Sequence, residues 1–225
     1  MRVNQVIRTV AGIVLLGLLS ISANGNVIGL NQCVGGVCGG TLDTFTNLPG
    51  TLLGTAVEQF TAYDGLHTAR YSGELRSAVY RNAANKLDFY YQLSNSSGSA
   101  EAVARLTMTS FGGFTTDVGT RMDNWDGAGI FRTAVQNAVS ADRDGGGTLG
   151  FQFGRGPGTV GPGEVSATMV IRTNAVNYTL GTVTTHSVAG YTMAAYAPSA
   201  QIPEPPSQAL LGLSLVALAV IGRRR

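Results

Sequence analysis

The residues able to do chemistry are few and scattered. His67 and His186, the two histidines, stand far apart with no metal-ligand spacing around them. A nucleophile–base–acid triad needs three groups assembled in space, and no G-x-S-x-G elbow is present to offer the nucleophile. Both read as ordinary surface or strand histidines. Gly156, Gly158 and Gly161 formally satisfy G-x-G-x-x-G. That motif cradles a dinucleotide only between a strand and a helix. Here Pro157 and Pro162 interrupt it and the strand pattern Val165–Ile171 follows, so the match carries no cofactor. Asp142, Asp144 and the Asp123–Asp126 stretch have a faint calcium-loop look. Calcium wants six to eight oxygens, and neither stretch brings the closing bidentate Glu. They read as solvated turns, and no metal is expected. Tyr80, Tyr90, Trp125 and Tyr191 could stack on sugar rings or serve as packing residues.

Cys33 and Cys38 are the only cysteines, in Cys-Val-Gly-Gly-Val-Cys. In an oxidising compartment this close pair can close a small disulfide loop, and the glycines let it turn. Unpaired thiols are the alternative. A redox motif would want C-x-x-C, and a zinc site would want further ligands nearby.

The two ends of the chain differ from everything between. Arg2 and Arg8 form a positive n-region, Val10–Leu19 a short apolar run, and Ser20, Ser22 and Ala23 a small-residue cleavage stretch. Residues 1–23 therefore read as a secretory signal. At the other end Pro203-Glu204-Pro205 precedes an apolar run from Ala209 to Ile221, and Arg223, Arg224 and Arg225 follow. The run has about a dozen residues, against the roughly 20 of an unstrained spanning helix. It could cross a bilayer only by thinning it, with its flanks snorkelling. The arginines would then stay on the cytoplasmic side and the body outside. Pro-Glu-Pro ahead of it forms a stiff extended segment, suited to being held out for an enzyme to read.

Three parts carry a resemblance. Ile202-Pro203-Glu204-Pro205, the Ala209-Leu210-Leu211-Gly212-Leu213 opening of the apolar run and the Arg223–Arg225 cluster resemble the PEP-CTERM sorting tail of exported bacterial proteins. The resemblance implies recognition by a membrane-embedded exosortase, removal of the tail, and release or attachment of the body at the surface, often alongside exopolysaccharide. A hydrophobic tail that is discarded leaves no spanning helix in the mature protein, as with a GPI signal. The stretches Leu87–Asn95, Phe111–Gly119 and Ile171–Tyr178 are similar to a group of β-rich exported proteins carrying this tail, a likeness that implies no catalytic residues.

The body between the ends must position whatever chemistry exists. Glycine is abundant, with 31 residues, and only 12% of the chain is charged. That balance suits a turn-rich β protein and argues against a helical bundle. The formal net charge of +2 misleads, because five arginines sit in the terminal segments and Lys86 is the only lysine. No basic patch points to nucleic acid.

Residues 24–50 read as irregular. Strand patterns follow at Thr51–Ala62, Leu75–Tyr80, Leu87–Ser94, Ala104–Met108, Leu149–Phe153, Val165–Ile171, Tyr178–Val188 and Tyr191–Ala197. In the first of these Leu53, Val57 and Phe60 are the expected core residues, and Tyr63-Asp64-Gly65 reads as the turn that follows it. Leu87–Ser94 is the cleanest, with one apolar face, and it pairs in this reading with Ala104–Met108. Asp117–Asp126 and Ala141–Gly147 read as polar loops, and Ile130–Val139 fits either a strand or a short helix.

The expectation is an all-β antiparallel sandwich over residues 51–197, with a jelly roll as one form of it. A linker over 198–208 joins it to the tail at 209–225, and helices flank the body at both termini. The expected function is a non-enzymatic exported surface or matrix protein with no cofactor. Its partners would be signal peptidase and the general secretion machinery, the exosortase, and exopolysaccharide. The rivals are a carbohydrate-binding module, which an exposed aromatic row would favour, and an extracellular hydrolase, which a cleft with two carboxylates would favour.

Overall fold

The computed structural model describes residues 25–46, 49–124, 129–154 and 159–200. The expected terminal helices, the signal segment and the sorting tail lie outside them, as does Trp125.

The described residues form an all-β body of two six-stranded antiparallel sheets. The strands in chain order are β1 (Asn26–Val27), β2 (Gln32–Gly35), β3 (Thr51–Tyr63), β4 (Ala69–Arg81), β5 (Leu87–Asn95), β6 (Arg105–Met108), β7 (Thr116–Arg121), β8 (Ser140–Arg143), β9 (Leu149–Gln152), β10 (Thr168–Thr173), β11 (Asn177–His186) and β12 (Gly190–Ser199). One sheet runs β1-β7-β10-β5-β4-β3 and the other β12-β11-β6-β9-β8-β2. Their facing sides share one core in a sandwich-like arrangement. Phe89, Tyr91, Leu75 and Ile171 of the first sheet pack against Leu106, Phe151, Val183 and Leu149 of the second. Buried tyrosines also cross the gap. The Tyr71 hydroxyl donates to the Ala189 carbonyl at 2.7 Å, and the Tyr91 hydroxyl donates to the Tyr196 carbonyl. A buried hydroxyl without such a partner would cost free energy.

Turn chemistry explains the β3–β4–β5 meander. The Asp64 carboxylate accepts the amides of Leu66 and Thr68, and the Asn82 side chain accepts those of Ala84 and Lys86. These are Asx-type turns, in which the side chain holds the backbone through its reversal.

Several expectations need correction. Residues 24–50 are not merely irregular: they supply an edge strand to each sheet and bury Ile28, Leu42 and Phe45. β5 does not pair with β6. It lies between β4 and β10, and β6 belongs to the other sheet. Val57 is 48% exposed, whereas Phe60 is buried, because residues three apart on a regular strand point to opposite faces. The polar stretches at 117 and 141 contain β7 and β8. Thr116 and Arg143 are buried and bonded to distant segments: the Thr116 hydroxyl donates to the Ile28 carbonyl, and the Arg143 guanidinium donates to the carbonyls of Ile28, Phe111 and Phe114. Residues 130–139 form neither helix nor extended strand. They run as a strip joined to the first sheet by the isolated Gln136–Ser166 bridge.

That strip matters because the middle of the first sheet is buried on both faces. All nine residues of β5 are buried, including Asp88, Gln92, Ser94 and Asn95. Residues 43–46 cover one part of the outer face. Phe45 lies so close that a Cβ added at Gly119 would sit 2.7 Å from its ring. Residues 130–136 cover another part, where Phe131 packs with Tyr90, Tyr80 and Val170. Gln92 fastens this second strip. Its side-chain amide donates to the Arg132 carbonyl at 2.7 Å, and its carbonyl accepts the Arg132 amide at 2.8 Å. Replacing Gln92 with Leu removes both bonds, together with those to the Ser166 carbonyl and the Thr168 hydroxyl, and leaves part-buried polar groups without these partners. Expected destabilisation is about 2–4 kcal/mol in urea unfolding; a loss below about 0.5 kcal/mol would mean that the strip is held by something else.

Candidate functional site

Cys33 and Cys38 form a disulfide. Cys33 sits on β2 and Cys38 ends a 3-10 turn, Gly36–Cys38, with the two Cα atoms 5.8 Å apart. The loop stands at the edge of the second sheet, beside the two-bond pair of Arg105 and Asp142.

The aspartates that suggested calcium are engaged by protein groups. Asp142 holds Arg105 through both oxygens at 2.6 and 2.8 Å. Asp144 accepts the Thr148 amide in its own turn, and Asp123 holds Arg121. Among the described residues no group of three His, Cys, Asp or Glu comes together around a metal-sized space. His186 bonds Thr107, and His67 lies in the turn after β3 with positive φ. Burial and the nearby Arg105 cation hold the His186 ring below its ordinary pKa.

A row of charge crosses the outer face of the first sheet. Asp88 on β5, Arg172 on β10 and Asp117 on β7 are direct cross-strand neighbours. Arg172 lies 3.8 Å from Asp88 and stacks 3.9 Å over the Phe45 ring. Asp88 is 4% exposed, and burial pushes its carboxyl up to about 6, against the opposing pull of the Asn82 amide and Arg172. Burial also raises Asp117. A carboxyl that titrates near neutrality suits a general acid. Here, however, it is bonded at 2.8 Å by Asn82 of the preceding turn and paired with Arg172 on the next strand, so it ties neighbouring parts of the sheet together.

The aromatic quartet divides. Tyr80 and Tyr90 are each 2% exposed and meet edge to face at 4.9 Å, so they pack and cannot reach a sugar. Tyr191 is 38% exposed and stacks on Phe60, with centroids 6.0 Å apart and rings inclined by 27°. Tyr63, at the end of β3, is 55% exposed beside it. Two adjoining depressions meet here, of about 500 and 330 Å³, sharing Gln59 and Ser96. The first sets the rings of Tyr63, Phe60 and Tyr191 among the polar residues Gln59, Thr61, Ser72 and Ser96. The second is polar, lined by Glu74, Asn95 and Arg132. Gly73 forms part of the floor; a Cβ there would fall 2.0 Å from the Ser94 carbonyl oxygen and 3.2 Å from the Phe60 ring.

The polar end is organised around Glu74. Its carboxylate accepts the Gln59 amide at 2.6 Å, bonds Arg76, and lies 3.5 Å from Arg132. Gln59, Glu74 and Ser94 are cross-strand neighbours on β3, β4 and β5. Reading Tyr63 as a turn residue hid it from the sequence. The signal that could have found it is its place at the open end of a long edge strand, with Phe60 one pleat back.

Comparison with family models, with curated proteins and with solved structures finds no match for this chain.

The charged row gives a pH signature. The folded pKa of Asp88, about 6, lies above its ordinary value. The native state therefore holds this proton more tightly than the unfolded chain. The resulting stabilisation is complete below about pH 4 and is lost as pH rises through 6, an effect of roughly 2–3 kcal/mol. Asp88→Asn removes the dependence, so its stability should gain on the parent by that order between about pH 4 and pH 7. Urea unfolding at the two pH values checks this, and a constant difference between parent and variant would contradict a buried, proton-holding Asp88.

Proposed function

We propose that this chain is an exported, non-enzymatic surface or extracellular-matrix protein whose tail delivers it to a membrane exosortase. The observation that carries this reading is the three-part order at the C-terminal end: Pro203-Glu204-Pro205, the apolar run Ala209–Ile221, and Arg223–Arg225. The extended motif, the short membrane segment and the charged stop each have a physical task, and only together do they make a segment that pauses in a bilayer with its recognition motif outside. The N-terminal charge and apolar run supply the export step through the general secretion machinery and signal peptidase.

Two features of the body support the reading. The Cys33–Cys38 disulfide suits an oxidising compartment outside the cytoplasm. Asp142, Asp123 and Glu74 are bonded to arginines, an arrangement that serves structure. In this reading the body is a β-sandwich held between a cleaved signal helix and a discarded hydrophobic helix. It resides first at the outer side of the cytoplasmic membrane and then at the cell surface or in exopolysaccharide.

Intact-mass measurement of the extracellular protein tests the sorting step. The expected species lacks the apolar run and the arginine cluster, and deleting the exosortase should leave the tailed form in the membrane. Arg225 still present on the secreted protein would overturn the reading. The disulfide has its own check. Alkylation of the secreted protein should label neither Cys33 nor Cys38 before reduction and both afterwards. Replacing the pair with serines should cost about 2 kcal/mol, the loop-closure value for so short a loop.

A further inference from the structure

We infer that the groove across the open ends of β3, β4 and β5 binds an extended polysaccharide, with Tyr63 and Tyr191 as stacking platforms and Gln59, Glu74 and Arg132 as hydrogen-bonding groups. This names a ligand class for the body. It rests on the proposed function only for the source of the ligand, because the groove lies wholly in the body and does not involve the tail.

The groove's composition selects the ligand. An extended sugar chain offers two kinds of surface, the apolar faces of its rings and the hydroxyls around their edges. Tyr191 presents a ring already braced from behind by Phe60 at 6.0 Å, so stacking on it orders little that is not ordered before. Tyr63 offers a second exposed ring on the same depression. The adjoining depression, reached past Gln59 and Ser96, supplies planar amide, carboxylate and guanidinium groups. These groups are held by one another, with Gln59 on Glu74 at 2.6 Å and Arg132 at 3.5 Å. Planar groups fixed side by side suit paired hydroxyls on one sugar, as they suit other bidentate partners. The two volumes fall in the range of ligand clefts, about 300–1,000 Å³.

Other ligand classes fit less well. A lipid or apolar peptide would desolvate the Glu74–Arg132 end while offering it no hydrogen bond in return. A nucleic acid would need a basic track, and only Arg132 of this set presents an open cation, with its partner Glu74 beside it.

Affinity electrophoresis of the full-length protein in mild detergent tests this. The gels contain hydroxyethylcellulose, alginate, or the exopolysaccharide extracted from the producing cells. The first probe is neutral and the second carries uronates, so the arms separate a contribution from Arg132 charge from stacking alone. Retardation is expected in at least one gel. Tyr63→Ala and Tyr191→Ala should each weaken it about tenfold, whereas Tyr63→Phe and Tyr191→Phe should keep it, since the ring remains. Arg132→Gln should weaken the alginate arm more than the neutral one. Migration unchanged in all three gels would overturn the inference, as would retardation that both alanine variants retain or that the phenylalanine variants lose. Because none of these readouts involves the tail, the result stands apart from that of the mass experiment.

Discussion

Burying both faces of a sheet removes water as a partner for every polar group on it, and the rest of this molecule is arranged around that constraint. β4, β5 and β10 carry Arg76, Ser77, Asp88, Gln92, Ser94 and Thr168, all buried. Each would be costly without a partner. Two segments with little regular structure provide the cover. Because they are irregular, their backbone groups need partners too. Residues 43–45 bond along the free edge of β7, where the Phe45 amide donates to the Thr120 carbonyl and the Thr120 amide to the Asp43 carbonyl. Residues 132–136 use the Gln92 side chain and the backbone of residues 165–167. Gln92 stands in for a neighbouring strand: its amide group offers one donor and one acceptor to Arg132, as a ladder residue would.

Among the described residues the second sheet has no such cover on its outer face, and its sequence differs accordingly. Thr107, Thr109, Thr182, Thr184 and Thr192 bond one another across β6, β11 and β12 in the solvent-facing layer. The contrast explains where the groove lies. On the first sheet the cover reaches the row containing Gln92 and then turns away at Arg132. The next row, Gln59–Glu74–Ser94, is left open and becomes the polar floor of the groove. The site is thus where a protected sheet ends, with its polar groups already set in place by strand register.

This also shows what the sequence could reveal. Long alternating strands such as Leu87–Ser94 and Val165–Ile171 were legible because a half-buried strand has period two. The alternation in β5 nevertheless misled about its outer face, which looked solvent-facing because Asp88, Gln92 and Ser94 are polar. They are polar for another reason: they bond a cover whose chemistry cannot be read from the strand itself. β7 and β8 looked like loops for the same cause, as Thr116 and Arg143 answer carbonyls from distant segments. Tyr80 and Tyr90 looked available for stacking and are internal, whereas Tyr63, passed over as a turn residue, is exposed. Single residues report their own polarity; which side of a covered sheet they occupy is a property of the whole topology. The close spacing of Cys33 and Cys38 was legible because it is local.

The groove and the tail stand in a definite relation through β12. Tyr191 lies at the first end of that ten-residue strand, and the chain leaves toward the Pro-Glu-Pro motif from its last residue, Ser199. An extended strand of this length spans roughly 30 Å. β3 runs alongside in the opposite direction: its Leu53 and Thr55 carbonyls accept the hydroxyls of Tyr178 and Tyr196 near the Ser199 end, while Phe60 meets Tyr191 at the other. Under the proposed sorting, a point of attachment beyond Ser199 and the proposed groove at Tyr191 belong to opposite ends of one strand, so the strand that closes the second sheet sets the separation between them within the body.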